Sequence, residues 1–351
     1  MLRQQDVGHR IVVRRIVGIR EGRTLFSDAL GELVELSETH ITLSTDAGPL
    51  RVPVAEVHRA KRVPPARRPT AAAVVALELA ADEAWPAPVR GRLGDWRLRW
   101  ADGWTGRANS ALPVGDPDRP LPAALDAVQR WYAERGGPAL VNTPLPLAAP
   151  VGAELDARGW TSRPPVLVQT VPLGTLTAPP AAVPMPAAVP LPAAVPLPPT
   201  GPLPADASLP AAAPAGVPPV TLADAPADDW LAIAAGRKGG LPDAARQVLT
   251  GTPRVRFAEL REDGRLLAVG RGTVTGGGRW LGVSLLETVP EARRRGLAAA
   301  VVRALAGWGA AEGATHAFLQ VEQSNTGAVA LYRGLGFTTH HTYLTRVAPA
   351  A

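Results

Sequence analysis

Leu285-Leu286-Glu287-Thr288-Val289-Pro290-Glu291-Ala292-Arg293-Arg294-Arg295-Gly296-Leu297-Ala298 decides how the rest of this chain reads. The residues leading into it, from Trp280 to Leu286, are apolar and suit a buried strand. Pro290 has no N–H to give to a neighbouring strand, so pairing is predicted to stop near it. Gly296 has no side chain and lets the backbone come close to a ligand. Beyond it, Leu297, Val301, Leu305 and Trp308 fall on one helical face. The stretch is therefore a strand, a tight basic turn and a helix. A helix starting there aims its first N–H groups, and the positive end of its dipole, at whatever lies ahead. That arrangement binds phosphate. Arg293, Arg294 and Arg295 add positive charge at the same place.

A second element stands downstream: Asn325-Thr326-Gly327-Ala328-Val329-Ala330-Leu331-Tyr332-Arg333-Gly334-Leu335-Gly336-Phe337. Arg293-x-x-Gly296-x-Ala298 resembles the R/Q-x-x-G-x-G/A signature of GNAT-superfamily N-acetyltransferases. The downstream stretch resembles the same family's N-x-x-A-x-x-L-Y-x-x-x-G-F. The order and separation of the two also fit, and the resemblance runs from Val220 to the C-terminus.

The resemblance implies direct transfer of an acetyl group from acetyl-CoA, as cosubstrate, to a primary amine. It implies that the backbone of Leu286, Glu287 and Thr288 pairs with the pantetheine arm. Backbone amides of Arg294, Arg295, Gly296, Leu297, Ala298 and Ala299 would hold the pyrophosphate, and Asn325 would contact the cofactor. Tyr332 would protonate the departing thiolate, a step open to a phenol. Many relatives place a glutamate, as base, where this chain has Gln320, and glutamine cannot accept a proton. Glu287 is the first substitute, Glu322 the second, and a chain of waters remains open. His340 and His341 are adjacent in a strand, so one at most is expected to face the site.

With 351 residues, the chain suggests two or three domains, and 46% hydrophobic residues are ample for a core. It has no cysteine, which excludes disulfides, thiolate metal sites and a cysteine nucleophile. No metal is expected. Met1 to Arg10 is polar and lacks an apolar signal region, and the apolar run Ala71 to Ala81 is short and broken by Glu78. No membrane span follows, and a cytoplasmic location is the default. The net charge of +6 is carried almost wholly by arginine. It suits nucleic acid or an acidic ligand, and coenzyme A is itself a polyanion, so the charge does not discriminate.

Residues 1–62 hold short β-rich runs: Ile11-Val12-Val13, Gly31 to Leu36, His40 to Leu43 and Leu50 to Val54. They predict a small β-barrel, resembling the SH3-like barrels ahead of some actinobacterial acetyltransferase domains. Its arginines are interleaved with Glu32, Glu35, Glu38 and Asp46. No stacking platform is visible beyond Phe26, so nucleic-acid binding has little support.

Residues 63–171 read as a diverged copy of the last region. Trp160 and Phe337 stand 177 residues apart, and that offset also sets Gly159 on Gly336, Trp131 on Trp308 and Gly136 on Gly313. Opposite Arg293 to Ala298 the first copy has Asp116-Pro117-Asp118-Arg119-Pro120-Leu121. Two carboxylates and two prolines remove donors and repel phosphate. This half is expected to have lost cofactor binding and to serve as a packing partner. In it Arg107-Ala108-Asn109-Ser110 is either a capped turn or a substrate contact.

Residues 172–219 are rich in proline and alanine, with Ala-Ala-Val-Pro repeats, and are expected to form a disordered linker. Residues 220–351 form the catalytic domain. The fold class is α/β (α+β): a C-terminal GNAT fold with a mixed central sheet, a diverged GNAT-like half before it and an N-terminal barrel. The partner is an amine acceptor of open identity, with no membrane. A non-catalytic acyl-CoA sensor and a nucleic-acid-associated adaptor are the alternatives.

Overall fold

The computed structural model describes residues 2–20, 22–45, 48–63, 69–177, 217–236 and 241–349. It divides into two compact units, Met1–Arg68 and Pro69–Ala351.

The first unit is an antiparallel sheet of β1 (Arg10–Arg20), β2 (Arg23–Leu36), β3 (His40–Thr45), β4 (Gly48–Pro53) and β5 (Val57–Arg62), in the order β4-β3-β2-β1-β5. Ile11, Val13, Leu33, Ile41, Leu43 and Val52 lie at alternate positions along their strands and bury one face. The expected barrel is not closed: β4 and β5 are the two edges of an open sheet. The strand β5 went unread because Val57-His58-Arg59-Ala60-Lys61-Arg62 alternates only weakly.

The second unit begins with α1 (Ala71–Ala84), capped by the Thr70 hydroxyl, which accepts from Ala73 N at 3.2 Å. The chain continues through β6 (Val89–Leu93), β7 (Trp96–Trp100), α2 (Leu121–Ala133), β8 (Leu140–Leu145), α3 (Ala149–Ala157), β9 (Thr161–Ser162), β10 (Val166–Pro172) and α4 (Leu173–Thr177). After residues 178–216, which lie outside the described residues, come β11 (Val220–Ala223), α5 (Asp228–Ala235), α6 (Asp243–Thr250), β12 (Val255–Glu262), β13 (Arg265–Thr275) and β14 (Trp280–Thr288). The last elements are α7 (Leu297–Ala311), β15 (His316–Glu322), α8 (Thr326–Gly334) and β16 (Thr338–Val347). The β12–β13 turn uses Asp263 and Gly264, both at positive φ.

The internal repeat is visible in this order. At an offset of 177 residues the bounds of α3 fall on those of α8, while α2 and β8 fall on α7 and β15 within a residue or two. The two copies nevertheless do not form separate domains. One mixed sheet runs β11-β12-β13-β14-β15-β10-β16-β8, with β9 beside β16. The first copy's last strand, β10, lies between β15 and β16, and the second copy's last strand, β16, pairs with β8. Each copy has thus given its final strand to the other. Residue pattern alone does not assign strand partners, so the boundary expected near residue 171 missed this exchange.

The expected linker also begins later than composition suggested. Pro172 closes β10, and Leu173 and Leu176 of α4 are buried in the main core. Two well-placed leucines outweigh the surrounding alanine and proline.

The helices α4, α7 and α8 cover one face of the sheet. On the other, α5 and α6 pack with Phe257 and Val269, and α1 packs with Phe318, Val168 and Tyr343. Fully buried Arg271 ties the copies together. Its guanidinium donates to the carbonyls of Ala84 (2.9 Å), Leu249 (2.8 Å) and Val248 (3.3 Å), at the C-terminal ends of α1 and α6. Helix ends carry partial negative charge, so two dipoles stand in for a carboxylate. Burial still pulls its pKa down.

Candidate active site

The site is built by a strand that breaks ranks. The β13–β14 register passes from Arg271↔Ser284 to Val269↔Glu287, so Leu285 and Leu286 together face Gly270. Leu285 sits at φ 50°, the left-handed region that a leucine rarely adopts. Gly270 is required opposite: a Cβ there would come within 2.6 Å of Val301 Cγ1 on α7. Beyond the bulge, β14 leaves its parallel partner. Pairing with β15 covers only Trp280–Gly282 against His316–Phe318, although β14 runs on to Thr288 and β15 to Glu322. One backbone edge of β14, including Leu286, Glu287 and Thr288, therefore borders a wedge. Ser284 Oγ and Thr288 Oγ1 are buried without a hydrogen-bond partner among the described residues.

The basic turn closes the wedge. Arg293 Nε donates to the Thr288 carbonyl at 3.3 Å, Arg294 lies at φ 61° and Gly296 at φ 79°. Gly296 caps α7 without a side chain, and a Cβ there would meet nothing within 4 Å. Its constraint is therefore the backbone angle, not crowding. The Leu297 side chain is buried in the core, and the N–H groups of Leu297, Ala298 and Ala299 lie in the first turn of α7, where no carbonyl of the helix can accept them. The three arginines do not act as one patch. Arg295 is paired with Glu262 at 2.5 Å, while Arg294 makes no ion pair among the described residues.

Asn325 caps α8, its Oδ1 accepting from Ala328 N at 3.2 Å, and its amide nitrogen makes no hydrogen bond among the described residues. Tyr332 is nearly buried on the face shared by α7 and α8, with its ring 5.8 Å from that of Phe337. Glu287, opposite Val269, belongs to the face under α5 and α6. Glu322 is exposed at the end of β15.

Gln320 faces α1 rather than α7, and its Oε1 accepts from the Tyr343 hydroxyl at 3.4 Å. Nearby stands a chain that sequence reading missed. Glu78 Oε1 lies 2.6 Å from His341 Nε2, and His341 Nδ1 lies 2.8 Å from His340 Nδ1. Adjacent strand residues should point apart, but the β10–β16 register skips His340, passing from Val168↔His341 to Gln169↔Thr339. This bulge brings both rings together and corrects the expectation that one alone could face this side. Desolvation, helped by His341 and opposed by Glu78, pulls the His340 pKa down to about 4. The sequence signal was Glu78, the lone charge inside an apolar helical run.

In the Arg107–Ser110 segment, Asn109 holds a turn together. The Asn109 side chain accepts from Ala101 N and Gly103 N and donates to the Trp104 and Thr105 carbonyls, at 2.7–2.9 Å. In the first copy's counterpart of the basic turn, carboxylates take the N–H groups. Asp116 Oδ1 accepts from Asp118 N (2.9 Å), and Asp95 Oδ2 from Asp116 N (3.0 Å). Among the described residues no group of three or more His, Cys, Asp or Glu could hold a metal. Among the described residues no helix is long and apolar enough to cross a membrane.

A mixed sheet splayed between two parallel strands, with a glycine-led helix at its mouth, is the architecture of the GNAT fold. The chain belongs to the family described as "Probable histone acetyltransferase Rv0428c C-terminal", whose model matches residues 71–190 and 203–345. It is 31% identical over 279 residues to the "Probable histone acetyltransferase Rv0428c" of Mycobacterium tuberculosis, covering 77% of this chain and 72% of that one. Its fold resembles a GCN5-related N-acetyltransferase from Kribbella flavida, with a TM-score of 0.54, 20% identity, and 82% and 98% of the two chains covered. A tandem GNAT protein from the clavulanic acid biosynthesis pathway also matches, with a TM-score of 0.48, 16% identity, and 82% and 91% covered.

Proposed function

We propose that this acetyltransferase uses acetyl-CoA and transfers the acetyl group directly to a primary amine. The observation that carries the reading is the splay of β14 from β15 beyond Gly282, beside a left-handed Gly296 at the head of α7. An amide-rich arm can add to the β14 edge as a short strand would, through Leu286, Glu287 and Thr288. The diphosphate is then met by N–H groups from Arg294 to Ala299 and by the helix dipole. Asn325 donates through its amide nitrogen.

Chemistry follows from positioning. The amine nitrogen attacks the thioester carbonyl, the carbon–sulfur bond breaks, and the sulfur takes the Tyr332 proton as it leaves. The proton lost by the amine goes to Glu287, on the face under α5 and α6. The Glu78–His341–His340 chain supports a second route for that proton. With Glu78 ionised, His341 donates from Nε2 and His340 donates from Nδ1 to His341, which leaves His340 Nε2 as the basic nitrogen. Its low pKa keeps that nitrogen unprotonated at neutral pH.

The M. tuberculosis relative is named for histones, so a lysine side chain of a basic protein is the first acceptor to try. The test incubates the full chain with acetyl-CoA and an amine panel that includes histone-tail peptides, while thiol release is followed. Amine-dependent release is expected. Saturable coenzyme binding with no turnover on any amine would instead make the protein an acyl-CoA sensor.

A further inference from the structure

The hairpin β6–β7 breaks a rule of sheet pairing. Arg90 stands directly opposite Arg99, and Arg92 directly opposite Arg97. All four lie on one face, because Leu93, Trp96 and Leu98 on the other are buried against α2. Like charges directly opposed across strands are destabilising, by roughly 0.2–1 kcal/mol a pair. One carboxylate, Asp82, answers them, at 3.4 Å from Arg90 and 3.3 Å from Arg99. Arg99 is buried and fully engaged, donating also to the Ser110 carbonyl (2.8 Å) and hydroxyl (2.9 Å). Arg92 and Arg97 make no ion pair among the described residues. The four arginines and Asp82 line one cavity of about 350 Å³, within the size range of small-molecule sites.

The geometry points to this cavity as a binding site for a small oligophosphate, in the half of the molecule whose own phosphate turn is closed by carboxylates. Guanidinium groups suit phosphate because their planar forks donate two hydrogen bonds at once. Arg99, held by Asp82 and Ser110, forms the fixed floor. Arg92 and Arg97, without a carboxylate partner among the described residues, are the clamps, and Arg90, already shared with Asp82, forms the rim. The ligand supplies the negative charge that the hairpin lacks, so repulsion between strands becomes attraction through a shared anion. A concave site with a buried arginine at its base favours a compact phosphate chain over a duplex backbone.

The test uses the full chain carrying Gly296→Glu, which takes the α7 turn out of play, with Arg294→Ala as the alternative background if that variant misfolds. Tripolyphosphate and ATP are titrated by calorimetry and by thermal shift. Both backgrounds should bind tripolyphosphate, and adding Arg92→Ala and Arg97→Ala should weaken binding by roughly tenfold for each arginine lost. Without anion, the double substitution should melt at or above its parent, since it removes repulsion; a merely structural pair of arginines would melt lower. Tighter binding of ATP than of tripolyphosphate would identify a nucleotide as the source, and equal binding a free oligophosphate. No binding in either background, equal binding after the double substitution, or binding to duplex DNA alone with a steep salt dependence would each overturn the site.

Discussion

Leu285 holds a backbone angle that costs a leucine on the order of 1–2 kcal/mol. The angle persists because the residues around it belong to opposite cores: Leu285 packs under α5 and α6, and Leu286 against α7. The strain is what turns β14 out of register and opens the edge on which the proposed donor lies. Tyr332 is the residue assigned to the leaving group. Replacing it by phenylalanine keeps the packing against Phe337 and removes only the hydroxyl. Tyr332→Phe is expected to lower kcat by about 10²–10⁴-fold with KM for acetyl-CoA nearly unchanged; unchanged kcat in steady-state assays would remove the acid role. His340 makes a separate claim about pH. Its pKa falls from 6.5 to about 4 on folding, so between those values the unfolded chain binds the extra proton. The stability it contributes is present above pH 6.5 and lost as pH falls toward 4. His316 shifts the same way, so the comparison must be with a variant. His340→Gln should lose less stability than the parent in urea melts between pH 7 and pH 4.5, and parallel curves would show that this ring titrates as if in water.

Among the elements, α7 and its turn set the donor end of the site. A Cβ on Gly296 meets no neighbour, so Gly296→Ala should cost only the strain of φ 79°, again on the order of 1–2 kcal/mol. Gly296→Glu adds a carboxylate where a diphosphate is to sit. It should weaken acetyl-CoA by on the order of a hundredfold or more by calorimetry, beyond anything the alanine variant loses. Equal losses in the two variants would assign the effect to the backbone and not to charge. This element was legible in the sequence because its signals are local: a proline that ends a strand, a glycine and a helical apolar stripe within twenty residues. Three features were not. The bulge that pairs His340 with His341 depends on a partner strand some 170 residues away. The helix α4 hides two buried leucines at the head of a proline-rich tract. The fifth strand of the first unit alternates too weakly to be seen.

At the scale of the molecule, the repeat was readable but its consequence was not. Matching tryptophans and glycines show that two copies exist; they do not show that β10 and β16 have changed places. The exchange is tied by polar contacts as well as by packing. Arg346 of β16 pairs with Asp156 of α3 at 2.5 Å and donates to Ser162 Oγ at 2.7 Å, while Thr345 donates to Asn142 at 2.8 Å. Arg271 and Thr275 of the second copy bond carbonyls of α1 in the first. A chain reduced to residues 220–351 therefore loses the strand between β15 and β16, the partner of β16 and the helix over their shared face. Val168 and Val171 of β10 are buried, so their removal opens the core and exposes two strand edges at once. Such a chain is expected to be insoluble, or to bind a hydrophobic dye and melt without cooperativity. Co-expression with residues 69–177 as a separate polypeptide should restore a cooperative melt, because β10 and α1 then return to their places. A cooperative melt from residues 220–351 alone would mean that β15 and β16 close directly on each other, and that the exchange adds stability without being required for folding.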